Sequence, residues 1–194
     1  MDNASYLTDQ PFTDLDLAPE LIRGLETAGF SHCTQIQQLA LPLALAGKDV
    51  AGQAKTGTGK TAAFLLAIFN RLLRLSPHAE HGAKSVRAVV LAPTRELAIQ
   101  IHRDAAQLCQ HTALRMGLVY GGTGYQDQTE ALSHGVDVLI GTPGRFIDFY
   151  KQGLFDLKGV QVLVLDEADR MFDLGFIRDI RYVLRRMPSP AERL

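Results

Sequence analysis

The chain predicts an α/β fold, a parallel β-sheet covered by helices on both faces, and three observations carry that expectation. Apolar runs at residues 86–92, 114–120, 136–140 and 160–165 lack the polar alternation of a half-exposed strand. Helical stretches separate them, clearest at 95–110, where Leu97, Ile101, Ala105 and Leu108 line one face. A glycine-rich loop and an apolar helix, residues 54–73, complete a strand, loop, helix layout suited to such a sheet. With 194 residues, 46% of them hydrophobic, the chain can bury one good core. It reads as a single domain over 12–187, preceded by a flexible segment, 1–11, and followed by a tail, 188–194.

The elements follow in order. Pro19 opens a short helix that reaches Ala28, with Leu21, Ile22 and Leu25 turned inward. Thr34 caps a second helix running to Leu45. Asp49-Val50-Ala51-Gly52-Gln53 reads as a short apolar strand leading into the loop. Beyond the loop, Ala62-Ala63-Phe64-Leu65-Leu66-Ala67-Ile68-Phe69 is apolar nearly all round, the mark of a helix buried against a sheet. No internal repeat occurs, and the polar loop at 77–84 is the one interior stretch of low order. Parallel sheets bind ligands at the carboxyl ends of their strands, so the residues just after each apolar run are the candidates for chemistry.

The run Ala54-Lys55-Thr56-Gly57-Thr58-Gly59-Lys60-Thr61 has the spacing of a triphosphate cradle, with Ala where the generic pattern has Gly at its first position. Gly57 and Gly59 allow the tight turn that aims backbone N–H groups at phosphate oxygens. Lys60 can reach the β/γ-phosphates, the Thr61 hydroxyl can bind Mg²⁺, and the following helix points its positive end at the same anion. A second site follows the run 160–165, which leads straight into Asp166-Glu167-Ala168-Asp169. Asp166 would hold the metal through water, and Glu167 would position or deprotonate the attacking water. Carboxylates that merely cap the next helix account for one acid well and two poorly.

Composition narrows the alternatives. Twenty Lys and Arg against 21 Asp and Glu leave a formal charge of −1, so binding of nucleic acid requires a local patch. Two cysteines, Cys33 and Cys109, make neither a disulfide framework nor a metal cluster and suit a reducing compartment. The first residues lack a signal-peptide pattern and no apolar run approaches membrane-spanning length, so the expectation is a soluble, cytoplasmic protein with no membrane partner.

Taken together, the loop 54–61, Pro93-Thr94-Arg95-Glu96-Leu97, Gly121-Gly122, Thr142-Pro143-Gly144-Arg145 and Asp166-Glu167-Ala168-Asp169 resemble the first half of a DEAD-box ATP-dependent RNA helicase. Ala54 is what that family carries, so the departure from the generic loop strengthens the likeness. Gly29-Phe30-Ser31-His32-Cys33-Thr34-Gln35-Ile36-Gln37 is similar to the family's adenine-recognition motif, with Cys33 where proline is usual. The resemblance implies a RecA-like domain that binds ATP and Mg²⁺. It assigns adenine to the Gln37 amide and to Phe12, which packs on the base; read alone, Gln37 is a solvated helix residue. Cys33 in place of proline predicts a looser turn before the helix. RNA contact is implied for Pro93, Thr94, Arg95, Gly121, Gly122, Thr142, Pro143, Gly144 and Arg145, each group by itself an ordinary strand-to-helix turn. Recognition along such a track is expected to be independent of base sequence and sensitive to salt. Asp169 is implied to couple the two domains. Cys33-Thr34 and the stretch 169–176 narrow the likeness to bacterial members associated with the RNA degradosome. The family's second RecA-like domain is missing from this chain, so the expectation is a fragment that binds nucleotide weakly and does not unwind. A DNA helicase and a scaffold that docks partners without turnover are the competing readings.

Overall fold

The computed structural model describes residues 7–55, 57–75, 84–122 and 124–188. The chain divides into two compact units, one of residues 1–76 and 104–113, the other of 77–103 and 114–194.

In the first unit, β1 (Leu7–Pro11) pairs antiparallel with β2 (His32–Thr34). A 3₁₀ turn, Phe12–Asp14, leads to α1 (Pro19–Thr27), which starts with Pro at its first position and buries Leu21 and Leu25. The helix α2 (Gln35–Leu45) follows Thr34, and α3 (Lys60–Arg74) follows the glycine-rich loop. Burial of Ala63, Leu65, Leu66, Ile68, Phe69 and Leu72 explains why α3 is apolar nearly all round; within this unit it packs on α2 and α1. Buried Asn70 on α3 is satisfied: its Oδ1 accepts from Ala18 N–H (2.8 Å) and its Nδ2 donates to the Asp16 carbonyl (3.0 Å).

The expected strand at 49–53 does not form. Those residues make no ladder, and Val50 stands 41% exposed. A single β-branched residue and an interior Gly52 supply little strand preference, and a strand exists only where a neighbour completes its hydrogen bonds. The glycine-rich loop is therefore approached by irregular backbone.

The second unit holds a four-stranded sheet in the order β4 (Met116–Val119), β5 (Val138–Gly141), β3 (Ala88–Leu91), β6 (Val162–Leu165), with every pair parallel. All of β3 and β5 is buried on both faces, as their unbroken apolar sequences require. The connecting helices are α4 (Arg95–Leu108), whose last residues belong to the first unit, then α5 (Tyr125–Ser133), α6 (Pro143–Lys151), α7 (Ala168–Asp173) and α8 (Ile177–Leu184). Val89, Leu91, Leu139, Phe146, Phe149 and Met171 belong to one continuous core here. The predicted parallel α/β sheet, flanked by helices, is what the chain forms.

Register then does something specific. Leu91 lies opposite both Gly141 and Leu165, and Gly141 lies opposite Val119, so the four strands end level. One further rung extends the ladder past each end: Thr142 N–H to Val119 O (3.0 Å), Ala92 N–H to Gly141 O (2.9 Å) and Asp166 N–H to Leu91 O (3.0 Å). Gly141 makes the closest of these approaches. A Cβ there would overlap the Val119 carbonyl oxygen and lie 2.5 Å from Val119 Cγ2. Because the obstacle is backbone, it cannot step aside. Gly141→Ala is expected to cost on the order of 3 kcal/mol, a fall of roughly 6–12 °C in Tm. Thermal unfolding checks it, and a melting point unchanged from the parent would mean that the rung has more slack than described.

Candidate functional site

The glycine-rich loop, in the first unit, is braced from three directions. Thr58 Oγ1 donates to Lys55 O (2.7 Å), Thr34 Oγ1 donates to Thr58 O (2.7 Å), and Gln37 Nε2 donates to Gly59 O (3.1 Å). Gln37 Oε1 in turn accepts from Thr34 N–H (2.8 Å), the return half of a capping box. Gly57 and Gly59 take left-handed backbones, φ 83° and 91°. No side chain caps α3, whose N-terminus follows Gly59 directly, so its first N–H groups are offered outward. Lys60 folds its ammonium onto the Ala54 carbonyl. Thr61 is partly buried one residue into α3, and Thr56 lies outside the described residues. Two left-handed glycines, an uncapped helix start and a lysine at its first position fit a polyphosphate.

The structure places the two residues expected at the base as follows. The Gln37 amide is buried and engaged with backbone at both ends, bracing the loop. Phe12 lies 3% exposed beside a cavity of about 430 Å³ lined also by Ile22, Leu25, Gly29 and Phe30, and Gln37 is not among its lining residues. Cys33, expected to loosen the turn before α2, sits fully buried within β2. There the Cys33 carbonyl accepts from Thr8 Oγ1 (2.9 Å), and burial pushes the thiol up to about 11.

The other motifs belong to the second unit and share one edge, in the spatial order Gly121-Gly122 after β4, Thr142-Pro143-Gly144-Arg145 after β5, Pro93-Thr94-Arg95 after β3, and Asp166-Glu167 after β6. Neighbouring strands stand about 4.8 Å apart, so this row of four strand ends spans roughly 14 Å. Thr94 Oγ1 accepts from Leu97 N–H (3.3 Å) and caps α4, leaving Arg95 exposed at the helix start. Gly121, Gly122 and Gly144 are exposed, and Pro143 is buried at the first position of α6. The Arg145 side chain, for which RNA contact is implied, is 14% exposed. Its guanidinium lies over Tyr125 (5.2 Å) and Phe149 (5.1 Å), with Asp148 3.9 Å away.

At the last strand, Asp166 Oδ1 accepts from Glu167 N–H (3.1 Å). Glu167 has φ 50° and ψ 51°, the single non-glycine residue with positive φ among the described residues. Such strain persists where surroundings over-determine it and clusters at functional turns. Glu167 Oε2 meets Arg170 Nη1 at 3.2 Å, and Asp169 Oδ1 accepts from Arg170 N–H (2.9 Å) on exposed α7. Hydroxyl and carboxylate oxygens, as on Thr61 and Asp166, are the donor type that Mg²⁺ takes.

The family model for DEAD/DEAH box helicases matches residues 34–194. The chain belongs to the DEAD/DEAH box helicase family. This helicase-family domain is 58% identical over 190 residues to an ATP-dependent RNA helicase RhlB of Pseudoalteromonas atlantica and 58% identical to that of Vibrio campbellii. It is 56% identical to the RhlB of Vibrio atlanticus. Each match covers 98% of this chain and 44% of the relative, so the chain spans less than half the length of these curated relatives. The RecA-like expectation and the likeness to bacterial RNA helicases therefore hold.

Motif reading of the DEAD/DEAH box domain missed Tyr120, Gln128 and Gly141. Gln128 is 8% exposed, accepts from Tyr120 N–H (3.0 Å) and donates to Tyr120 O (3.2 Å). Tyr120 lies 4.7 Å beneath the Arg95 guanidinium. A glycine ending an apolar strand was the available signal for Gly141; for Gln128 the sequence offers none. Among the described residues no helix is long and apolar enough to cross a membrane, and no group of three or more His, Cys, Asp or Glu could hold a metal.

Proposed function

We propose that this chain is the ATP-binding half of an RNA-dependent ATPase and RNA helicase that separates short duplexes locally. The observation that carries the reading is the level row of strand ends. One sheet edge presents two exposed glycines, two helix starts and an acidic pair, with ladder rungs at Ala92, Thr142 and Asp166 holding the strand ends level.

Residues 54–61 hold the triphosphate, Lys60 neutralises it, and Gln37 and Phe12 serve the adenine. The Thr61 hydroxyl and, through water, the Asp166 carboxylate are the groups that would hold Mg²⁺, which when bound would supply charge neutralisation to the polyphosphate. Glu167 accepts a proton from the attacking water or orients it. RNA runs along Pro93, Thr94, Arg95, Gly121, Gly122, Thr142, Pro143 and Gly144, contacting backbone N–H groups and the Arg95 cation, with Arg145 bracing the turn from beneath. Such contacts read phosphate and sugar rather than bases. Asp169, exposed beside the acidic pair, faces a second RecA-like domain that completes the RNA groove. The protein acts in the cytoplasm, in RNA degradation, alongside degradosome proteins. This domain by itself binds nucleotide weakly and does not unwind.

The deciding experiment measures ATP turnover of the full-length protein with single-stranded RNA and with single-stranded DNA. RNA is expected to stimulate turnover at least about tenfold more than DNA, with an effect that fades as salt rises. Equal stimulation by both favours a DNA enzyme, and no turnover with either favours the docking scaffold.

A further inference from the structure

We propose that Gln128 is a positioning residue for RNA binding, acting through Tyr120 on Arg95 and the Gly121-Gly122 turn. The inference rests on the reading of this edge as an RNA track.

Among the described residues β4 is an edge strand, with β5 on one side only. Just past its end, the Gln128 side chain takes the place of the absent neighbour. Its Oε1 accepts from Tyr120 N–H at 3.0 Å and its Nε2 donates to Tyr120 O at 3.2 Å. A carboxamide carries donor and acceptor side by side, the pattern of a ladder rung. Tyr120 is the last residue before the two exposed glycines, so clamping its backbone sets the direction in which they leave the sheet. The clamp also sets the ring. Tyr120 lies 4.7 Å under the Arg95 guanidinium, and a Cβ on Gly122 would come 3.8 Å from Arg95 Nη1.

The helix that carries Gln128 is itself anchored. Tyr125, the first residue of α5, meets Phe149 edge-on at 5.1 Å, donates its hydroxyl hydrogen bond to Gln152 and lies 5.2 Å from the Arg145 guanidinium. Phe149 and Arg145 belong to α6, the helix that starts in Thr142-Pro143-Gly144. One buried amide thus ties the glycine turn, the Arg95 cation and the α6 start into a single arrangement. Losing it frees Tyr120 to turn, and Arg95 loses the platform that aims it. Every residue in this chain of contacts belongs to the second unit and none to the glycine-rich loop, so RNA affinity and nucleotide affinity are expected to separate.

The test uses the full-length protein, a labelled single-stranded oligouridylate read by fluorescence anisotropy with a non-hydrolysable ATP analogue, and ATP binding measured without RNA. Gln128→Ala is expected to weaken RNA about tenfold while ATP affinity stays within about twofold. Gln128→Glu, which keeps the shape and loses the donor, is expected to do the same. So is Tyr120→Leu, which keeps the backbone clamp and removes the ring; these two carry the test if the alanine variant fails to fold. Combined with Arg95→Ala, Gln128→Ala is expected to add less than about twofold, because both act on one contact. Additive losses, equal losses of RNA and ATP, or RNA binding retained by Gln128→Glu and Tyr120→Leu overturn the proposal and leave the RNA track standing if Arg95→Ala alone weakens binding. Unchanged binding in Arg95→Ala overturns the track and this proposal together.

Discussion

In the full-length protein, Glu167→Gln is expected to lower ATP turnover by about 100-fold or more while ATP affinity changes by less than about twofold. The reasoning starts from the backbone. Glu167 stands at φ 50° and ψ 51° immediately after β6, a conformation that costs about 1–2 kcal/mol for a residue with a side chain. The Asp166 carboxylate accepts from the Glu167 N–H, and Arg170 meets the Glu167 carboxylate, so the turn is held from both sides. A strained residue held this firmly delivers its side chain at a fixed position. Glutamine preserves that geometry, and its Oε1 can still accept from Arg170. What it cannot do is take a proton. Binding, which the reading assigns to the loop and Lys60, is therefore expected to persist as catalysis fails. The measurement is single-turnover hydrolysis beside equilibrium nucleotide binding. Turnover that survives the substitution removes Glu167 from the chemistry and leaves the docking scaffold as the better reading.

The parallel sheet was legible because its signal is crude and strong. Residues 88–91 and 138–141 are buried on both faces, and a strand buried on both faces has no room for polar alternation. The same logic located the candidate residues. Polar and glycine residues that follow such runs abruptly have to lie at strand ends, and parallel pairing brings those ends to one edge.

What escaped the sequence depended on partners chosen by the fold. Residues 49–53 form a short apolar run with little strand preference of its own, and strand formation needs a ladder that such a run cannot guarantee. Cys33 read as a defect in a turn because proline's role there is local. The buried, β2-paired position that makes a small apolar side chain suitable is a tertiary property. The motif implies an RNA contact for Arg145, and no motif shows that aromatic rings from α5 and α6 flank its guanidinium. Gln128 lies eight residues from Tyr120, and no spacing rule for helices or strands joins the two.

The second large effect is expected at Gly59, where Gly59→Ala should weaken ATP binding tenfold or more and lower stability as well. Two independent costs meet at this position. The backbone sits at φ 91° and ψ 16°, which an alanine adopts at a cost of about 1–2 kcal/mol. A Cβ would also overlap Gln37 Nε2 and approach Thr34 Oγ1 at 3.0 Å. The amide end of Gln37 can move, and that is the damage. Moving it breaks the donation to Gly59 O and disturbs the acceptance from Thr34 N–H, so the brace between α2 and the loop is released along with the return half of the cap. Each net hydrogen bond contributes about 1 kcal/mol, and 1.4 kcal/mol is a factor of ten in affinity. Loop distortion at the residue preceding Lys60 therefore reaches the affinity before it reaches the fold. Isothermal titration with ATP and thermal unfolding without it read the two costs separately. Gln37→Ala in the same background discriminates their origin. If the clash with the amide dominates, removing the amide restores part of the stability lost by Gly59→Ala; if backbone strain dominates, the double variant is no better than the single one.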